Sequence, residues 1–369
     1  MVKNVAVLLL GLTLIVSAAQ AAEKSGLVKG TPDLKSAGPL TFGPNGILFV
    51  GDSRSAAIFA IDTGDTKGNP SQVTLSVEGL DQKIAALLGT SPRDVLVNDL
   101  AVNPASGNAY LSVSRGRGPQ AQPVLLRVDG NGQLSDVSLK NVPFAKSVLP
   151  NAPAPNATDR RRRSKRAQSI TDLAFVDGRV FIAGLSNEEF ESTLRSVPFP
   201  FSQADRGTGV GIYHGAHGRF ETNSPIRTFT HYKIDNKSYL LAGYTCTPLV
   251  KFPVANLKPG AKLQGTTIAE LGNRNRPLDM FVYKKGGKNF ILMANNNRGV
   301  MKITTDRIGT IAAITPETKI DRGGKAGLSY ETITDMKGVQ QLDRLNQDYA
   351  VIIVQAESGA SNLQTIALP

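Results

Sequence analysis

Residues 171–185 read Thr171-Asp-Leu-Ala-Phe-Val-Asp-Gly-Arg-Val-Phe-Ile-Ala-Gly-Leu185. Leu173, Phe175, Val180 and Ile182 mix apolar and β-branched side chains, and Asp177-Gly178 stands between the two runs. Asp-Gly between apolar runs is a strong hairpin signal, because glycine takes positive φ without steric cost. The stretch therefore predicts two antiparallel strands joined by a two-residue turn.

The same plan returns along the chain. Leu40 to Asp52, Asp99 to Ser112 and Asp279 to Asn295 are close copies; His231 to Tyr244 and Asp335 to Gln355 are looser ones. Copies begin roughly every 50–75 residues, which suits one four-stranded antiparallel sheet with its loops, and self-similarity at a fixed period marks a propeller or an array. The predicted fold is all-β: a β-propeller of six four-stranded antiparallel blades, with seven blades as the alternative. The pattern of residues 36–369 resembles the secreted β-propellers of the NHL, YVTN and SMP-30-like kind. That resemblance implies an architecture and a ligand site at one mouth of the central channel, and it implies no particular activity.

The ends and breaks of the chain fit one domain. Residues 1–21 carry Lys3, an apolar run from Val5 to Val16 and the Ala19-Gln20-Ala21 motif. This reads as a secretory signal peptide, so residues 22–369 form the propeller and the protein is expected to be secreted or periplasmic. No later stretch is long and apolar enough to span a membrane. Leu80 to Leu88 is the best helix candidate. Residues 141–168, with four prolines and Arg160-Arg-Arg-Arg-Ser-Lys-Arg166, read as an exposed loop between blades. Residues 186–206 read as a second inserted loop. Residues 26–35 are expected to close the ring beside Leu363 to Leu368. The single cysteine, Cys246, excludes an internal disulfide. A monomer is expected.

Aligning the hairpins on their second strands places Pro39, Asp99, Asp172, His231, Asp279 and Asp335 at the starts of the inner strands. Carboxylates converging on one axis repel and take up protons unless a cation sits among them. Asp99, Asp172, His231 and Asp279 are therefore the candidate ligands for one divalent metal, calcium or a first-row transition metal. Asp at a strand start also commonly bonds backbone N–H groups with no ligand involved. The second-strand ends supply a polar rim, in which Arg115, Asn187, Cys246, Asn295 and Arg298 are the candidate ligand-binding residues. Its arginines suit an anionic group. His214-Gly-Ala-His217 reads as a turn on the face away from that mouth, with a metal or redox role as the alternative.

Several chemistries lack their motifs. There is no His-Glu-x-x-His, no Gly-x-Ser-x-Gly, no nucleotide-binding glycine loop and no haem-attachment motif. Tryptophan is absent, which argues against WD repeats and a bound quinone. The net charge is +12. In an exported protein this favours anionic polymers or envelope proteins over nucleic acid. The leading functional expectation is a non-catalytic ligand- or protein-binding module. The alternative is a metal-dependent hydrolase of the lactonase or esterase kind, with its cation in the channel.

Overall fold

The computed structural model describes residues 26–369, so the predicted signal peptide lies outside the described residues. Six antiparallel sheets of four to six strands surround a central channel. Blade three opens with the hairpin quoted above. Asp172–Val176 pairs with Arg179–Leu185, and the turn residues Asp177 and Gly178 have φ of 48° and 76°. Two positive φ values match the right-handed twist of the flanking strands. Asp235-Asn236 and Gly286-Gly287 turn the hairpins of blades four and five in the same way.

The inner strands are Leu40–Phe42, Val95–Val102, Asp172–Val176, Thr228–Ile234, Pro277–Lys285 and Val339–Arg344. They start blades one to six in chain order. Their side-by-side contacts put the blades around the ring in the order one, three, four, five, six, two, and back to one. The chain thus leaves blade one, passes blade six and enters blade two from the far side. On the way Ser76–Val77 pairs with Ser361–Ala367 and becomes the outer strand of blade six. The helix α1 (Leu80–Leu88) follows at once, and Leu75, Val77, Leu80 and Ile84 fill the space between blades six and two. This is how the ring closes.

Four expectations about the segments and strand starts are corrected. Val28–Gly30 does not complete blade six; it pairs with Val142–Val148 at the outside of blade one. That second strand lies inside the segment read as a loop, and Pro143 is tolerated near its start because pairing with Ala57–Asp62 begins only at Phe144. The segment 186–206 holds Ser192–Pro198, the third strand of blade three, whose polar residues hid its period. Asp335 is exposed and precedes the inner strand of blade six rather than starting it.

The core consists of apolar clusters between neighbouring blades. One packs Phe49 and Ile58 of blade one against Leu173, Val180 and Ile182 of blade three. Another packs Leu40, Phe59 and Ile61 against Ala101, Tyr110 and Leu125 of blade two. Each fully buried Leu, Ile or Phe contributes roughly 1.5–3 kcal/mol. No described helix is long and apolar enough to cross a membrane.

Candidate functional site

Every inner strand runs away from one mouth of the channel and every second strand runs back toward it, so strand starts and second-strand ends share that mouth. Just inside, Asp99, Asp172, Asp279 and Asp343 line a channel cavity of about 130 Å³ with Thr41 and Thr230. Each aspartate clasps the next blade. Asp99 accepts from Leu40 N at 2.6 Å, Asp172 from Phe229 N at 2.7 Å, Asp279 from Leu342 N at 3.2 Å and Asp343 from Val102 N at 2.7 Å. Blades one and four present threonine instead. The carboxyls are enclosed by protein yet keep one face on the lumen. Burial pushes Asp172 up to about 7 and Asp343 up to about 6. Asp99 and Asp279 are held well above the usual carboxylate range by burial first and by the neighbouring aspartates second.

Three of the four proposed metal ligands, Asp99, Asp172 and Asp279, thus share the channel, and His231 does not. Phe229, not His231, pairs at the level of the aspartates, and His231 lies farther down the strand near Asp177 and Lys233. Nor do any three of the channel carboxylates bring oxygens within 4.8 Å of one another. Their lone pairs serve the backbone, which is the tie between blades that aspartate at a strand start commonly makes. Asp343 was hidden in the sequence because the looser sixth repeat placed its strand start at Asp335.

The mouth itself is basic. The loop of residues 149–171 begins and ends at this edge, and its Thr158–Ser164 bridge presents Arg160 to Arg163 to solvent. Arg227, just before the inner strand of blade four, lies near Arg276 and Arg163; burial and then these two cations lower its guanidinium to about 10. Beside them a cleft of about 680 Å³ opens between blades five and six. Asn295 and Arg298, both predicted ligand-binding residues, line it. The other three do not. Arg115 and Asn187 are exposed elsewhere on the rim, and Cys246 sits in a left-handed turn with its N–H on Asn275 O at 2.7 Å. Asp52 is fully buried and accepts from the N–H and hydroxyl of both Ser36 and Ser55, so it anchors the N-terminal segment.

A second constellation stands on the same side, which corrects the placement of His214 and His217 on the opposite face. Thr208–His214 is the fourth strand of blade three and runs toward the mouth. The turn after it brings His217 back over His214, with ring centroids 3.7 Å apart. Both rings give Nδ1 to the carboxylate of Glu221, at 3.1 Å from His214 and 2.8 Å from His217. Ser224 Oγ donates to the same carboxylate at 2.6 Å and Arg219 Nε at 3.1 Å. Burial alone would raise Glu221, but hydrogen bonds from His214, Ser224 and His217 outweigh it and hold the carboxyl below its usual range. Among the described residues these three form the one group whose metal-binding atoms lie within 4.8 Å of one another. Glu270, from blade four, accepts from Gly215 N at 2.6 Å and is pushed up to about 7 by burial. His214 Nε2 and Glu270 Oε2 are both buried and without a partner. The sequence offered His214-x-x-His217, but Glu221 and Glu270 were missed: one follows a tight turn, and the other arrives from the next blade.

No family model matches the chain, and no curated protein does. Similar solved structures include the PQQ-bound aldose sugar dehydrogenase of Streptomyces coelicolor, at 12% identity and a TM-score of 0.38, covering 92% of this chain and 96% of that one. An exo-1,5-α-L-arabinanase from a bovine ruminal metagenomic library matches at 12% identity and a TM-score of 0.37, covering 74% and 93%. A GH43 glycoside hydrolase with an engineered active site matches at 11% and 0.33, covering 74% and 52%. The likeness is one of propeller architecture and assigns no activity to this chain. Two expectations differ from what these structures are. The leading expectation was a non-catalytic binding module, whereas all three are enzymes and none is a lactonase. A bound quinone was argued against from the missing tryptophan, whereas one of the three is PQQ-bound.

Proposed function

We propose that the protein is a metal-dependent hydrolase whose cation is held by His214, His217 and Glu221. One observation carries this reading: two imidazoles and a carboxylate already bring ligand atoms within 4.8 Å, and His214 Nε2 and the neighbouring Glu270 Oε2 are buried without a partner. Two His and one Glu form an open ligand set that leaves a position for water. Imidazole nitrogen favours zinc, manganese or iron over calcium. A cation there would polarise the scissile carbonyl or phosphoryl group or generate hydroxide from bound water. Glu270, which accepts from Gly215 N and feels the charge of Glu221, would be the carboxyl to exchange a proton with that water. His217 is the exposed member, with 40% of its side chain open, and gives the site its access. With residues 1–21 read as a signal peptide, the enzyme acts outside the cytoplasm, as a monomer.

Elemental analysis of the purified protein, paired with a screen of chromogenic esters and phosphoesters, tests this. Near-stoichiometric zinc, manganese or iron that is lost in His217→Ala together with hydrolysis is the expected result. A metal-free protein that takes up none of these ions on dialysis, and whose melting is indifferent to chelator, refutes the reading.

A further inference from the structure

The cleft between blades five and six is separate from the His–Glu cluster, and nothing assigned so far uses it. Its walls come from four segments: Asn295 to Gly299, Lys325, Tyr330 with Thr332 to Thr334, and Lys337 to Gln340. Arg298, Lys325 and Lys337 line it, and no carboxylate does. None of the three cations forms an ion pair among the described residues. Arg298 donates Nη2 to Asn273 O at 3.2 Å, which fixes the guanidinium, yet its Nε is buried without a partner. A fixed, partly buried guanidinium with an idle N–H is a ready anion donor. Lys325 lies over the ring of Tyr330, with Nζ 5.2 Å from the centroid. The Arg227, Arg276 and Arg163 group next to the cleft adds to the positive field, since Asn296 is tied to Arg276 by two hydrogen bonds.

Beside the apolar Ile333 and Val339, amide and hydroxyl groups of Asn296, Asn297, Thr332, Thr334 and Gln340 line it as well. Such groups donate and accept at once and match a polyol. About 680 Å³ is in the range that encloses a small organic ligand. We infer that this cleft binds an acidic sugar, with Arg298 and Lys337 on its anionic group and the amides on its hydroxyls. The anion is a carboxylate or a phosphate ester; both match the cations, and the experiment separates them.

Calorimetric titrations of the full mature chain at low salt use galacturonate, glucose 6-phosphate, glucose and inorganic phosphate. Saturable binding of one or both acidic sugars, at least tenfold tighter than glucose and inorganic phosphate, is expected, and the tighter of the two identifies the anion. Lys337→Ala, at an exposed position, should weaken binding about tenfold or more through loss of one charge-assisted contact. Arg298→Lys should weaken it as well while leaving the fold and the metal content unchanged. No binding of either acidic sugar overturns the inference. So does glucose or inorganic phosphate binding as tightly, or Lys337→Ala binding like the parent. Metal content read on the same samples keeps this outcome distinct from that of the hydrolase reading.

Discussion

Replacing Asp172 by asparagine should remove a pH dependence that the channel builds into the fold. The Asp172 carboxyl is raised from 3.8 to about 7, chiefly by burial. A folded-state value above the unfolded one means that the folded protein holds the proton longer. The stabilisation is complete below about pH 4 and is lost as the pH rises through about 7. A rise of that size corresponds to about 4 kcal/mol. The lumen-facing side and the coupling to Asp99, Asp279 and Asp343 reduce what one site contributes, so about 2–4 kcal/mol is expected between pH 4 and 8. Asparagine has no proton to lose. Its oxygen can keep the Phe229 N–H, but its amide nitrogen cannot accept from Leu173 N, which Asp172 does at 2.7 Å. That loss costs about 1–2 kcal/mol at every pH. Asp172→Asn should therefore melt lower than the parent at pH 4, draw level as the pH rises, and melt level with or above it by pH 8. At about 2 cal/mol/K of unfolding entropy per residue, the change in the gap is about 3–6 °C for a chain of this size. Scanning calorimetry of both proteins from pH 4 to 8 reads it. Parallel melting curves over that range would show that Asp172 is ionised throughout and that burial does not hold its proton.

Gly178→Ala should lower stability by about 1 kcal/mol, because its φ of 76° disfavours any side chain while open space around it excludes a clash; chemical denaturation reads the loss. Leu80→Ala, in the closure between blades six and two, should cost about 2–5 kcal/mol and loosen the start of α1, visible as faster amide exchange in residues 75–88. His214→Ala should weaken zinc binding by on the order of 10–100-fold or more, measured by competition with a chromophoric chelator, while His231→Ala should leave it unchanged. Added salt should weaken acidic-sugar binding at the basic cleft, since exposed charges are screened within about 10 Å at 0.1 M.

The hairpin at 171–185 and its copies contained the fold because both of its signals are local. Alternating apolar side chains and a turn that needs positive φ are decided within a dozen residues, and their repetition implies a ring. The same generic quality explains why the pattern names the architecture and not the NHL, YVTN or SMP-30-like kind. The channel position of Asp99, Asp172 and Asp279 was also legible, since it follows from strand register. The place of Asn295 and Arg298 at the mouth followed from the same alignment. That such aspartates bond backbone N–H groups was legible too; which inner strand each carboxylate bonds was not, because the adjoining blade depends on a ring order that departs from chain order. Blade two sits between blades one and six because Ser76–Val77 and α1 carry the chain past blade six first. The His–Glu cluster draws on a turn in blade three and a strand of blade four, and the basic cleft on four segments of residues 295–340. Sequence determined which residues form strands and which strand ends face the mouth, because those are short-range steric and hydrophobic choices. Only the closed ring decided which side chains meet there, because contacts between blades depend on the order in which the whole chain packs.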